Sequence, residues 1–207
     1  MELSPVRESD YPELADIAGG RIRRHGLPAF LVDWVSGIRE EIARSIAQYQ
    51  WGTRAKFRVD AWTIEFTVRV DGRVVGVQGV SAQDFPATRS VSTGSWLGLH
   101  DQGKGYGTQM RRIAVTAFAD HFDVVSFHSG FFAGNHASRR VSEKLGYSPN
   151  GVRTIVPNGV RPIVAQDGRA HVEHQVILAA SNIDRGPDSV EVSGAEVVRR
   201  FLGLDAS

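Results

Sequence analysis

Apolar positions near the start of the chain recur every three or four places, the spacing of an amphipathic helix. ESDYPELADIA reads as a first helix. Ser9 or Asp10 caps it, Pro12 suits its first turn, Glu13 completes a capping box with Asp10, and Gly19 and Gly20 end it. Gly26 and Pro28 mark RHGLPAF as a loop. WVSGIREEIARSIAQYQW predicts a second helix, with Ile38, Ile42 and Ile46 on one face. From residue 62 the period falls to two. Strands over 62–70 and 73–82 flank Asp71-Gly72, a strong hairpin signal. DFPATRS is a loop, and VSTGSWLGLH is a further strand. A helix from about Gly105 carries Met110, Ile113, Ala114, Ala117 and Phe118 on one face. VVSFHSG is a strand. NHASRRVSEKLGY is a shorter helix with Val141 and Leu145 inward and Gly146 as its stop. Strands follow near 152–157 and 170–179, separated by a Gly-, Asn- and Pro-rich stretch. SNIDRGPDS reads as a linker, and VEVSGAEVVRRFLGL has enough apolar residues to dock on the body. The pattern predicts a single α+β domain over 1–182, with a mostly antiparallel sheet, and a C-terminal extension over 183–207 that docks on it or on a partner subunit.

Composition narrows the chemistry. The 207 residues are 42% hydrophobic, enough for a sizeable core. Lys and Arg total 24 against 23 Asp and Glu, so the near balance disfavours a dedicated nucleic-acid binder. The absence of cysteine removes disulfides, thiolate metal sites and a cysteine nucleophile. MELSPVRESDYPEL has no apolar segment of a secretory signal, and no apolar run is long enough to span a bilayer. A cytoplasmic protein is expected. The seven histidines show no H-x-x-x-H or H-E-x-x-H spacing, and no metal is implied.

Gly103, Gly105 and Gly107 sit at a strand-to-helix turn, where successive N–H groups and a helix N-terminus favour a phosphate. A Walker loop fails there, because Gly105 follows Lys104 where Ser or Thr is needed. A dinucleotide turn fails because Thr108 stands in the third glycine place. Gln102-Gly103-Lys104-Gly105-Tyr106-Gly107 matches Q/R-x-x-G-x-G/A. This is the pyrophosphate loop of the GNAT acyl-CoA N-acyltransferases, which the chain resembles over roughly residues 4 to 180. Asn135, Ser138, Lys144, Gly146 and Tyr147 are similar to the signature of the subgroup of ribosomal-protein alanine N-acetyltransferases. The stretch from DGRVVGVQGV to GKGYGTQM resembles actinobacterial members, including a mycobacterial-type succinyltransferase.

The resemblance implies the GNAT fold, with coenzyme A in the splay between the fourth and fifth strands. Acetyl-CoA or succinyl-CoA is the implied donor and a primary amine of a protein, peptide or small molecule the acceptor. A homodimer is expected, with no membrane or nucleic-acid partner. Trp96, Leu97 and Leu99 fall on the strand whose backbone binds the pantetheine arm and thioester. Gln102, Gly103, Lys104, Gly105, Tyr106, Gly107 and Thr108 form the phosphate loop. Asn135 is a helix cap or a donor ligand, and the Ser138 hydroxyl approaches the sulfur. Tyr147 is a packing residue. Direct attack of an amine needs a base, and several residues compete for that role. Glu173 leads, ahead of Glu65, His100 and His128. His174, next to Glu173 on a strand, faces the other way. Arg21, Arg23, Arg24 and His25 are cations available to a donor with an extra carboxylate. An intact loop also fits an acyl-CoA sensor or scaffold with little turnover. An acylating toxin directed at aminoacyl-tRNA is disfavoured by the charge balance.

Overall fold

The computed structural model describes residues 1–20, 37–155, 170–187 and 189–205. Strands are β1 (Glu2–Pro5), β2 (Trp62–Val70), β3 (Arg73–Ala82), β4 (Ser90–Leu97), β5 (Ser126–Phe132), β6 (Ser148–Ile155) and β7 (His171–Ala179). Helices are α1 (Tyr11–Gly19), α2 (Arg39–Ala55), α3 (Phe85–Thr88), α4 (Tyr106–Phe122), α5 (His136–Lys144) and α6 (Ala195–Phe201). The strands form one seven-stranded sheet in the order β1-β2-β3-β4-β5-β7-β6. Only β4 and β5 run parallel among the paired strands.

The β2–β3 hairpin turns at Asp71 and Gly72, which take φ of 51° and 77°. Both central residues lie in the left-handed region that the tight hairpin turn requires. Alternation then sorts the two faces. One carries Trp62, Val80, Val91, Phe127 and Leu178, packed on Phe118 and Phe122 of α4 and on Leu145, just past α5. The second carries Thr67 and Val77 toward α1 and α2, where Leu14, Ile42 and Ile46 are buried. Ile183, Ala195, Leu202 and Leu204, beyond β7, are buried in the first core.

Several sequence expectations need correction. β1 went unread. It has four residues and ends in proline, too short to show a period, yet it pairs along β2 from Glu2↔Arg69 to Pro5↔Phe66. Asp10 stands at the N-cap of α1, but its side chain makes no cap hydrogen bond there. Its carboxylate accepts from Arg7 N (3.0 Å), Thr67 Oγ1 (2.7 Å) and Arg69 Nη2 (2.6 Å), tying the helix start to β2. Glu13 accepts from Val74 N at 3.3 Å instead of completing a capping box. Ile38 precedes α2 as its N-cap and is exposed, whereas Ile42 and Ile46 are buried. DFPATRS contains the single turn α3, which buries Phe85. The start of the second predicted helix, the loop at RHGLPAF, and residues 156 and 157 of the sixth strand lie outside the described residues.

The inward face of α4 is also rotated from the predicted one. Met110, Arg111, Ala114, Val115, Phe118 and Phe122 are buried, while Ile113 and Ala117 are half-buried. The core demands 110, 114 and 118 on either reading. The rotation follows from α5 packing against the side that holds Arg111.

Candidate acyl-transfer site

The β4–β5 ladder covers only Ser90–Ser92 against Ser126–His128. β4 runs on to Leu97 and β5 to Phe132, so the two strands part in mid-sheet. Side chains close the last joint: Thr93 Oγ1 donates to the His128 carbonyl (3.3 Å) and Ser129 Oγ to the Thr93 carbonyl (3.1 Å). A cleft of about 810 Å³ occupies the gap, lined among others by Glu65, Trp96, Arg111, Asn135, Ser138 and Glu173.

Beyond the splay, Gly98 N–H donates to the Val75 carbonyl of β3 (3.0 Å). Alternation then turns the backbone of Leu97 to the open edge. There its carbonyl accepts from Gln102 Nε2 at 3.1 Å. Leu99 is not on the strand: it opens a 3-10 turn, Leu99–Asp101. The strand read through His100 therefore ends three residues early, at Leu97. Asp101, buried, accepts from Arg73 (3.0 and 2.7 Å) and from Lys104 Nζ (3.1 Å). The Arg73 hydrogen bond is the main cause holding the Asp101 carboxyl below its ordinary range. Lys104 is thus an anchor of the turn, with Nζ also 5.9 Å from the Tyr106 ring centroid.

The three glycines divide the work. Gly103 and Gly105 take φ of 81° and 88°, and a Cβ on either would meet nothing within 4 Å. Only glycine holds that conformation without strain. Gly107 lies inside α4, where a Cβ would press Val141 Cγ2 of α5 at 3.3 Å. Its smallness seats α5 against α4. Gly105 is the N-cap of the 17-residue α4, with no side-chain cap on the helix start. Tyr106, Gly107 and Thr108 supply its first turn; Thr108 N–H donates to the Gly105 carbonyl (3.0 Å), and the positive end of the helix dipole lies here.

Asn135 caps α5, its Oδ1 accepting from Ser138 N at 3.1 Å. Both residues line the cleft. The cap fixes the first turn of α5 at the cleft wall. Tyr147 is buried, its hydroxyl 3.4 Å from Thr93 Oγ1.

On the α2 side of the sheet, three glycines leave bare backbone along the cleft: Gly79, Gly94 and Gly130. Gly79 pairs with both Glu65 and Gly94. The Glu65 carboxylate lies over Gly79, where a Cβ would come within 2.6 Å of Oε1. Tyr49 Oη, from α2, donates to Glu65 Oε1 at 3.0 Å. Glu65 is half-buried as a residue, with its carboxyl enclosed, and that desolvation raises the carboxyl pKa to about 7 despite the Tyr49 hydrogen bond. The same burial, and next the charge of Glu65, pushes the Tyr49 phenol up, so it remains a donor.

Glu173 faces the cleft from the far side of the splay, its carboxylate over Gly130. It is tied there by Arg153 Nε and by Gln175 Nε2, the latter at 2.5 Å. Both bonds fall on Oε2, and Oε1 lies over Gly130. His174 turns to the opposite face and stacks on Phe131 at 5.3 Å, while His171 meets Phe132. His128 lines the cleft, whereas His100 is exposed in the turn after β4. Arg21, Arg23, Arg24 and His25 lie outside the described residues. Thus Trp96, Asn135, Ser138 and Glu173 share one cleft, while Leu97, Leu99 and the loop over 102–108 are not among its lining residues; the loop meets β4 where Gln102 reaches the Leu97 carbonyl.

Sequence reasoning missed Arg111. The signal was its place three and four residues before Ala114 and Val115, on the stripe that the core buries.

A GNAT acetyltransferase domain matches residues 1–148. The chain belongs to the GNAT acetyltransferase family. Solved structures agree on the fold. A ribosomal alpha-N-protein acetyltransferase, RimL, in complex with coenzyme A is 18% identical, with a TM-score of 0.65 over 89% of this chain and 94% of that one. Mycobacterium smegmatis RimJ, in complex with CoA-disulfide, is 19% identical, with a TM-score of 0.67 over 96% of this chain and 88% of that one. A spermidine N-acetyltransferase chimera of Vibrio cholerae SpeG and hSSAT is 13% identical, with a TM-score of 0.62 over 87% and 95%. Among the described residues, no helix is long and apolar enough to cross a membrane.

Proposed function

We propose that this GNAT protein transfers an acyl group, acetyl or succinyl, from coenzyme A to a primary amine by direct attack. One observation carries the reading: the glycine turn at the start of α4 borders a sheet splay that has a free-edged β4 on one side and an enclosed carboxylate above bare backbone. The pyrophosphate belongs on the N–H groups of Gly103–Gly107, and the pantetheine arm belongs beside Leu97. The acyl group then lies between Ser138 and the α2 side of the sheet.

Glu65 is the base in this scheme. It takes a proton from the incoming ammonium, directly or through one water, so that the free amine attacks the thioester carbon. With a pKa of about 7 it is half-ionised near neutrality, close to the optimum for a general base. The Tyr49 hydrogen bond aims its carboxylate. Glu173 instead holds Arg153 and Gln175 in the acceptor wall. Glu173→Gln is therefore expected to keep the acidic limb of the pH–rate profile. Loss of that limb in this variant would move the base to β7. Ser138→Ala is expected to lower kcat about tenfold, the value of one hydrogen bond made at the sulfur; an unchanged kcat removes Ser138 from the mechanism.

The test is thiol release by the full chain from acetyl-CoA and from succinyl-CoA over a panel of peptide, polyamine and small-molecule amines, with mass spectrometry of the products. An acylated amine supports the reading, and the donor that reacts faster settles acetyl against succinyl. Tight CoA binding with no release beyond hydrolysis would favour a sensor.

A further inference from the structure

Arg111 is 4% exposed on α4, deep in the wedge between β4 and α5. Its Nη1 donates to Ser142 Oγ (3.3 Å) and its Nη2 to Ser95 Oγ (3.2 Å). Both partners are neutral hydroxyls. Its Nε, fully enclosed, donates to nothing. No carboxylate pairs with it among the described residues. A buried, uncompensated guanidinium is among the costlier features a core can hold. Desolvation accordingly pulls its pKa down, with the Tyr147 phenol the ionisable group that opposes this. Arg111 also lines the cleft. Ser142, which it grips, donates to the Ser138 carbonyl at 3.3 Å, one helical turn from the cleft wall. Ser95 is two residues before Leu97 on the free edge of β4.

We infer that Arg111 supplies the positive charge that receives the departing thiolate of the acyl donor. This rests on the acyl-transfer reading above. The amine nitrogen bonds to the thioester carbon. The carbon–sulfur bond then breaks, and its electron pair leaves on sulfur as thiolate. Glu65 has taken the first of the ammonium's two protons before attack; the second leaves the adduct nitrogen to water, and the thiolate departs as the anion or takes up that proton through the water. The thioester is neutral before reaction, so the charge that matches Arg111 exists only as the bond breaks. An interaction that strengthens only then lowers the barrier instead of tightening substrate binding. Ser95 and Ser142 fix the guanidinium without neutralising it, which a carboxylate partner would do.

The other titratable or charged groups lining the cleft are Tyr49 of α2, Glu65 of β2, His128 of β5, Arg153 of β6 and Glu173 of β7. Glu65, Arg153 and Glu173 extend from the α2 side of the sheet. Arg111 meets β4 through Ser95, which pairs with Gln78 and projects to the opposite side.

The experiment titrates free coenzyme A bound to the full-length protein, following thiolate ultraviolet absorbance. The bound thiol is expected to ionise about one unit or more below the free thiol, as an opposite charge within about 4–6 Å dictates. Arg111→Gln should return it to the free value and lower kcat about a hundredfold with little change in donor KM, while Arg111→Lys should recover part of both. A wild-type thiol that titrates like free coenzyme A overturns the proposal without any variant having to fold. A depression that persists in Arg111→Gln overturns it too. So does a variant that only weakens a dicarboxylic acyl donor, since Arg111 would then read the acyl group. Failure to bind coenzyme A at all takes down the donor site itself, a result distinct from binding with an ordinary thiol.

Discussion

Replacing Glu65 by glutamine is expected to lower kcat/KM by about 10²–10⁴-fold, the usual share of a positioned general base. Glutamine keeps an acceptor for Tyr49 Oη, so the cleft keeps its shape. In the wild type, kcat/KM should fall about tenfold per pH unit below about 7, where the carboxylate takes up a proton. The variant should lose the break near pH 7 and keep only the dependence set by the amine's own ammonium group. Stability should move the other way. The folded-state pKa is raised from 4.5 to about 7, so between these values the native state binds more protons than the unfolded chain. Native stability from this group is full below pH 4.5 and is lost as pH rises toward 7. That difference corresponds to roughly 3 kcal/mol. Glu65→Gln should therefore melt higher than wild type at pH 8, with the gap closing as pH falls toward 4.5. A break near pH 7 that survives in the variant, or melting curves that coincide at every pH, would remove Glu65 from this role.

Gly105→Val is the second large effect. Its φ of 88° strains any side chain by about 1–3 kcal/mol, more so a β-branched one. The added atoms would project into open space at the helix start, where the diphosphate belongs. Relaxing the strain would re-aim the N–H groups of the first turn. Donor KM should rise about tenfold to a hundredfold, with kcat at saturating donor much less affected. Calorimetry with coenzyme A should show the same loss. A variant that binds as wild type would mean that the anion sits elsewhere.

The hairpin and the glycine loop were legible because each depends on local chemistry. Asp71-Gly72 and Gly146 announce their left-handed turns, and the Gln102–Gly107 spacing is a contiguous pattern. Glu65 could be listed but not ranked. Thr63, Glu65 and Thr67 read as the wet face of a half-buried strand. What encloses Glu65 is α2, and the residue that aims it, Tyr49, is 16 positions away. The tie of Glu173 to Arg153 forms only when β6 and β7 pair, whereas Gln175 is two places along the same strand. Arg111 was opaque for a related reason. In sequence it is half of an Arg-Arg pair, and only the fold separates them. Arg112 turns outward to Asp184 (3.2 Å), and Arg111 goes under the sheet.

The bare glycine backbone of the cleft has an engineering consequence. A Cβ on Gly94 would touch nothing within 4 Å, and its φ carries no left-handed constraint. Strand glycines are weak points, and a β-branched residue at an open, extended position is an ordinary route to higher melting temperature. Here the vacant volume belongs to the cleft between β4 and β5. Heat-selected variants of this protein should thus accumulate changes at Gly94 whenever turnover is not also selected, and each would carry its own plug.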